Sequence, residues 1–166
     1  PTIPTTVYGS TKLTGEQYCK IYSNLFGINI TSLRPFNIYG PRQNDAYAGV
    51  ISKFMDKLNE NKSPIIFGNG KQTRDFIHVD DVVRAFYYAL KFKKTKFAVF
   101  NLATGKSTSI NELAKIFLSV TKKLNVKPIH KKPISGVVIH NSTNPKKIKQ
   151  HLDFISSINL TNGITN

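Results

Sequence analysis

Apolar positions Leu13, Tyr18, Ile21, Tyr22 and Leu25 mostly recur at intervals of three or four, which predicts a helix from about Tyr8 to Phe26. Gly27 stops it in the usual left-handed position. The six residues before it, PTIPTT, form an extended lead-in with two prolines. Residues 28–36, INITSLRPF, alternate and are β-branched, so they read as a strand. Residues 37–45, NIYGPRQND, are loop chemistry. A helix over 47–60 places Val50, Ile51, Phe54 and Leu58 on one face. Pro64–Phe67 makes a short strand, Gly68-Asn69-Gly70 a tight turn, and 73–78 another short strand. Asp80 and Asp81 begin a helix to about Lys91, with acids at its positive end. A strand follows at 97–102, FAVFNL, and then Ser109 and Glu112 form a capping box for a helix to about Lys123. The remainder is looser, with a strand near 137–140 and a short helix started by Asn144-Pro145. Helices alternating with strands predict an α/β fold.

Composition narrows this picture. The chain has 166 residues, about one domain or a piece of something larger, and its 40% apolar content is enough for a core. A single cysteine, Cys19, excludes a disulfide scaffold and a cysteine-based zinc site, and reads as a packed helix residue. No apolar run approaches the roughly 18 residues of a membrane span. The net charge is +15, unevenly spread: residues 1–90 carry +3 and residues 91–166 carry +12. All the basic residues of the second part are lysines; the four arginines are Arg34, Arg42, Arg74 and Arg84. The abundance of Lys, Asn and Ile is most simply the mark of an A/T-rich coding sequence. Aromatic interleaving and base-reading motifs are missing, which argues against a nucleic-acid surface. Attraction of a small anionic substrate is the alternative use of the charge.

Candidate chemistry begins at Tyr8 and Lys12, four apart and therefore on one helix face. A free phenol is a poor base at neutral pH. A neighbouring ammonium favours the phenolate, so such a pair can take a proton from an alcohol as hydride leaves its carbon. Tyr8-Gly9-Ser10-Thr11-Lys12, with Glu16 after it, resembles the catalytic helix of the extended short-chain dehydrogenase/reductases. Arg34-Pro35-Phe36-Asn37-Ile38-Tyr39-Gly40-Pro41-Arg42-Gln43 resembles the signature that follows the next strand in that family. The block from Ile66 to Val82, IFGNGKQTRDFIHVDDV, is similar to the NAD-dependent nucleotide-sugar epimerase/dehydratase branch, and Asn101–Gly105 and Thr108–Leu113 fit its next strand, loop and helix. The likeness is clear to about residue 118, looser beyond, and greatest toward the UDP-glucose 4-epimerase group.

This resemblance implies the C-terminal part of a Rossmann-type doubly wound sheet plus the smaller substrate-binding domain. Residues 1–45 would end the nucleotide-binding domain. Residues 46–166 would be mostly substrate-binding domain, with segments returning to the sheet. It implies NAD as cofactor, a UDP-sugar as substrate, a homodimer through the helix carrying Tyr8, and a cytoplasmic enzyme. Tyr8 would be the catalytic acid and base, and Lys12 would hold the nicotinamide ribose. Pro35 and Phe36 would pass beside the nicotinamide. Asn37 and Arg74 would bind the substrate diphosphate, joined by Arg42, and Phe67 would flank the uracil. From the residues alone, Arg74 has a structural alternative as partner of Asp75 or Asp80, Asn37 as a turn residue bonding the backbone, Arg42 as a solvated loop arginine and Phe67 as an ordinary core aromatic. His78 reads as a local hydrogen-bond partner, and Asp80-Asp81 as helix N-capping rather than a metal pair.

Two departures stand out. No Gly-rich strand-to-helix turn for a dinucleotide pyrophosphate occurs in the chain. Where the family has an Arg-Pro-Gly-acid turn, the run here is Lys132-Pro133-Ile134-Ser135-Gly136, and Lys132 replaces the charge but not the bidentate geometry. The expectation is therefore a C-terminal half that aggregates and lacks activity if made alone, from an epimerase acting at the sugar C4. Another dehydratase or decarboxylase of the family is the alternative, as is a non-catalytic basic fragment that binds polyanions.

Overall fold

The computed structural model describes residues 3–43, 49–134, 136 and 138–165. Helix α1 spans Val7–Phe26; the Thr6 hydroxyl caps it by accepting from the Gly9 N–H at 3.0 Å, and Gly27 closes it at φ 67°. Its face toward the sheet is not the apolar stripe. Gly9, Leu13, Glu16 and Cys19 are half-buried and Ser23 is fully buried, donating to the Lys96 carbonyl at 2.8 Å. Tyr18, Ile21, Tyr22, Leu25 and Phe26 stand exposed.

The helix packs on a parallel pair, β1 (Ile30–Pro35) and β6 (Phe97–Leu102), in register from Ile30 opposite Phe97 to Pro35 opposite Leu102. Glu16 of α1 reaches Arg34 of β1 through a two-point contact of 2.5 and 2.7 Å. The segment expected as loop after β1 begins instead with a short strand, β2 (Asn37–Tyr39). The expected helix over 47–60 is α2, Val50–Asn59, with residues 47 and 48 outside the described residues. Strand β3 is Ile65–Phe67.

The strand expected over 73–78 is broken at Asp75 into β4 (Thr73–Arg74) and β5 (Phe76–His78). The cause is the Asp75 carboxylate. Fully buried, it accepts from Thr104 N–H and hydroxyl at 2.9 and 2.8 Å and from Gly105 N–H at 2.8 Å, which turns the chain away from one ladder to another. The remaining elements are α3 (Val79–Lys91), β7 (Thr108–Ser109), α4 (Ile110–Val120), β8 (Ile129–Lys131), β9 (His140–Asn141), α5 (Lys146–Leu152) and α6 (Leu160–Thr165). The strand expected near 137–140 is thus confined to β9, with residue 137 outside the described residues. Strands β2 and β5 pair in parallel, as do β3 and β8; β4 lies between β7, antiparallel, and β9, parallel. This is the α/β class expected, with parallel pairing.

Strand β5 divides the core. Phe76 belongs to a cluster with Phe54, Leu58, Leu113 and Phe117, while Ile77 belongs to one with Val82, Phe100, Leu102 and Ile148. Each fully buried side chain of this size contributes roughly 1.5–3 kcal/mol of transfer free energy. The chain then returns across both. Asp81 of α3, fully buried, accepts from the N–H groups of Ser157 and Ile158 and from the Ser157 hydroxyl at 3.0–3.2 Å, and pairs with Arg84 at 2.6 Å. That anchor sets α6, whose Ile164 and Leu160 enter the first cluster. Gly163 is required there, since a Cβ would stand 2.2 Å from the Tyr39 hydroxyl. The Tyr39 hydroxyl is buried with no hydrogen-bond partner among the described residues, and burial, with the Asp81 charge second, pushes its pKa up to about 12. No helix among the described residues is long and apolar enough to cross a membrane.

Candidate functional site

The first turn of α1 presents Tyr8 and Lys12 on one face. Tyr8 is 72% exposed and the Lys12 ammonium lies 5.2 Å from the centre of its ring. The helix start is held firmly: beyond the Thr6 cap, the Ser10 hydroxyl donates to the Thr6 carbonyl at 3.2 Å and the Thr11 hydroxyl to the Tyr8 carbonyl at 2.8 Å. Among the described residues, neither the Tyr8 hydroxyl nor the Lys12 ammonium is used in a hydrogen bond, so both are free for a ligand. Pro35, exposed, ends β1, and the Phe36 N–H donates to the Leu102 carbonyl at 2.9 Å. An exposed phenol and ammonium fit the ribose diol and nicotinamide end of a dinucleotide. They offer nothing for its pyrophosphate, for which the chain has no Gly-rich turn.

A cleft of about 1290 Å³ opens between β2, α2, β3, β4, β8 and β9. Its floor is apolar, with Tyr39, Phe76 and Ile110, and the half-exposed Phe67 stands at its rim. Its walls carry Lys71, Arg74, His130, Lys131 and His140, and no carboxylate among the described residues. Such a wall selects an anion. Arg74 is half-buried, and that burial draws its pKa below the ordinary guanidinium value. Its Nη1 donates to the Thr73 carbonyl at 2.7 Å and reaches the Ile139 carbonyl at 3.5 Å; no acid is paired with it among the described residues. Asp75 is taken up by Thr104 and Gly105, and Asp80 lies 3.6 Å from His78. Arg74 is therefore a cation free for a ligand.

Asn37 lines the same cleft, but its Nδ2 donates to the Asp75 carbonyl at 2.8 Å, which leaves the amide oxygen as its less engaged atom. Phe67 is carried to the rim by β3. The turn after it is fixed by Asn111, whose Nδ2 donates to the Asn69 carbonyl at 2.9 Å and whose amide would collide with any Cβ on Gly70, which sits at φ 71°. The structure thus brings Asn37, Phe67 and Arg74 together. Arg42, in an exposed turn after β2 at φ 63°, and Lys132, exposed beyond β8, are not among the lining residues. Lys131, one position earlier, is. His78 caps α3, its Nδ1 accepting from the Asp80 N–H at 3.2 Å.

Sequence reasoning missed Lys71, His130, Lys131 and His140. The last three sit on β8 and β9, strands of three and two residues whose few side chains carry no readable period. The pairing of β8 with β3 and of β9 with β4 is what delivers them.

Residues 1–103 match the model of the NAD dependent epimerase/dehydratase family. A protein of Methanocaldococcus jannaschii, provisionally named a UDP-glucose 4-epimerase, is 42% identical over 165 residues, covering 99% of this chain and 52% of that protein. The crystal structure of a Thermotoga maritima UDP-glucose 4-epimerase with UDP-glucose superposes with a TM-score of 0.92 at 33% identity, over 98% of this chain and 52% of that one. A Bacillus cereus UDP-glucuronic acid 4-epimerase variant, in complex with a fluorinated substrate analogue and NAD, gives 0.88 at 30% identity, over 98% and 51%. The chain spans about half the length of these relatives.

Proposed function

The chain belongs to the NAD dependent epimerase/dehydratase family, and from that premise we propose that the protein epimerises a UDP-sugar at C4, with UDP-glucose and UDP-galactose as the substrate pair. The observation that carries the reading is that one chain holds both a free phenol and ammonium on α1 and an anion-selective cleft whose guanidinium has no acid partner among the described residues. Tyr8 takes the proton of the sugar C4 hydroxyl and later returns it. Lys12 places a positive charge beside the phenol while that proton is away, and holds the ribose hydroxyls. Tyr8 and Lys12 would hold the nicotinamide end of NAD, which when bound would supply a reversible hydride acceptor for C4 with no net redox change. Arg74 binds the diphosphate, and a planar guanidinium does so with two parallel bonds. Phe67 offers a flat apolar surface to the uracil.

The test is an assay of the intact protein with UDP-galactose and NAD. Formation of UDP-glucose with no net reduction of NAD is expected. A dehydrated or decarboxylated product would move the protein to another branch of the family, and no conversion of any UDP-sugar would overturn the enzymatic reading. Within that assay, Arg74→Ala is expected to weaken UDP-glucose binding roughly 10- to 100-fold, the worth of a charge-assisted pair, and to leave NAD binding near normal. Isothermal titration with each ligand separates the two effects. Unchanged UDP-glucose affinity would remove Arg74 from the diphosphate.

A further inference from the structure

The wall beside Arg74 holds a second nitrogen donor. Strand β9 runs parallel to β4 with His140 opposite Thr73 and Asn141 opposite Arg74. His140 Nδ1 lies 3.0 Å from the Thr73 hydroxyl oxygen, so that ring nitrogen is engaged and Nε2 is the one left for a ligand. The Arg74 guanidinium comes to the same edge, reaching the carbonyl of Ile139, the residue before His140. Both side chains line the cleft. The other charged or titratable groups among the described lining residues are Tyr39, Lys71, Lys131 and His130, the last with Nδ1 2.7 Å from the Gly68 carbonyl. Acids on the neighbouring elements are already engaged: Glu112 with Ser109 across β4, and Asp75 with Thr104 and Gly105. Among the described residues nothing neutralises a cationic imidazole at position 140, and an anion is what they leave this corner short of.

We propose that His140, through Nε2, is a ligand for the substrate diphosphate alongside Arg74. This rests on the reading of the cleft as a UDP-sugar site. Lys132, a further cation of this stretch, lies outside the cleft lining, so it does not supply a second ligand beside Arg74. An imidazole substitutes for a guanidinium with one difference. A guanidinium keeps its charge at any physiological pH, whereas imidazole changes charge between about pH 5 and 8. A diphosphate favours the imidazolium, so binding takes up a proton and weakens as pH rises.

The experiment is calorimetric titration of the intact protein with UDP-glucose, whose diphosphate is a diester with no proton to gain or lose near neutrality. Affinity is expected to fall about tenfold from about pH 6 to about pH 8, the difference between a charged and a neutral hydrogen bond. His140→Asn, which can still bond Thr73, should flatten the profile at the weaker value. His140→Arg should hold the acid-side affinity at both pH values. A His140→Asn profile identical to the wild type would overturn the role of His140 while leaving the UDP-sugar reading intact. Absence of UDP-glucose binding at both pH values would overturn that reading, and this proposal with it.

Discussion

Tyr8→Phe in the intact protein is expected to lower turnover roughly a thousandfold, within the range that a positioned general acid/base supplies. The substitution removes one oxygen from a side chain that is 72% exposed and makes no hydrogen bond within the described residues, so the fold has nothing to lose by it. UDP-glucose affinity should therefore stay near the wild-type value, because Arg74 and the cleft floor are untouched. Rate constants for conversion of UDP-galactose, measured beside a binding isotherm, check both halves. A kcat within a few-fold of wild type would place the proton transfer elsewhere. A parallel loss of binding would make Tyr8 a substrate anchor rather than the acid/base.

The largest effect on stability is expected at Asp81. Asp81→Ala should cost about 3–5 kcal/mol, because it strands two backbone N–H groups and a hydroxyl that the carboxylate now receives in a fully buried place. Arg84→Ala tests where the energy resides. Arg84 touches the same carboxylate but is 45% exposed, so its loss should cost about 1 kcal/mol or less. Denaturant unfolding of the intact protein compares them. Equal losses would mean that the ion pair, and not the backbone anchor, holds residues 157 and 158. A change at Asp81 also reaches the cleft indirectly, since Tyr39 on its floor packs against Gly163 of α6.

Much of this was legible from the chain itself. The Thr6-capped helix ending at Gly27, and the capping box in which Ser109 and Glu112 exchange bonds at 2.8 and 3.1 Å, stand where local chemistry puts them. Spacing marks Tyr8 and Lys12 only as a pair on one helix face, and the roles given to them and to Arg74 rest on the resemblance of the motifs around them. What could not be read is which face of α1 packs. Helical periodicity gathers Leu13, Tyr18, Ile21, Tyr22 and Leu25, yet of these only Leu13 faces the sheet, beside the smaller Cys19 and Ser23. The other four are a real signal about a surface that none of the described residues covers. Residues 73–78 fail for a different reason. Their alternation is that of one strand, and only a long-range partner, Thr104, tells the chain to change ladders at Asp75. His130 and His140 escape because a strand of two or three residues has no period to detect.

The bond between Asp81 and residues 157 and 158 also has a temporal consequence. Helix α3 and the strand that follows it are synthesised well before the segment that satisfies Asp81 exists, and the two ends of that contact are 76 and 77 positions apart. Until residues 157–164 leave the ribosome, the carboxylate must stay hydrated and α3 cannot close over it, so this core waits on late-made residues and on a long loop closure. The nascent chain meanwhile displays Phe54, Phe76 and Phe117 without the covering Ile164. That interval is when its apolar surface is most open to misassociation.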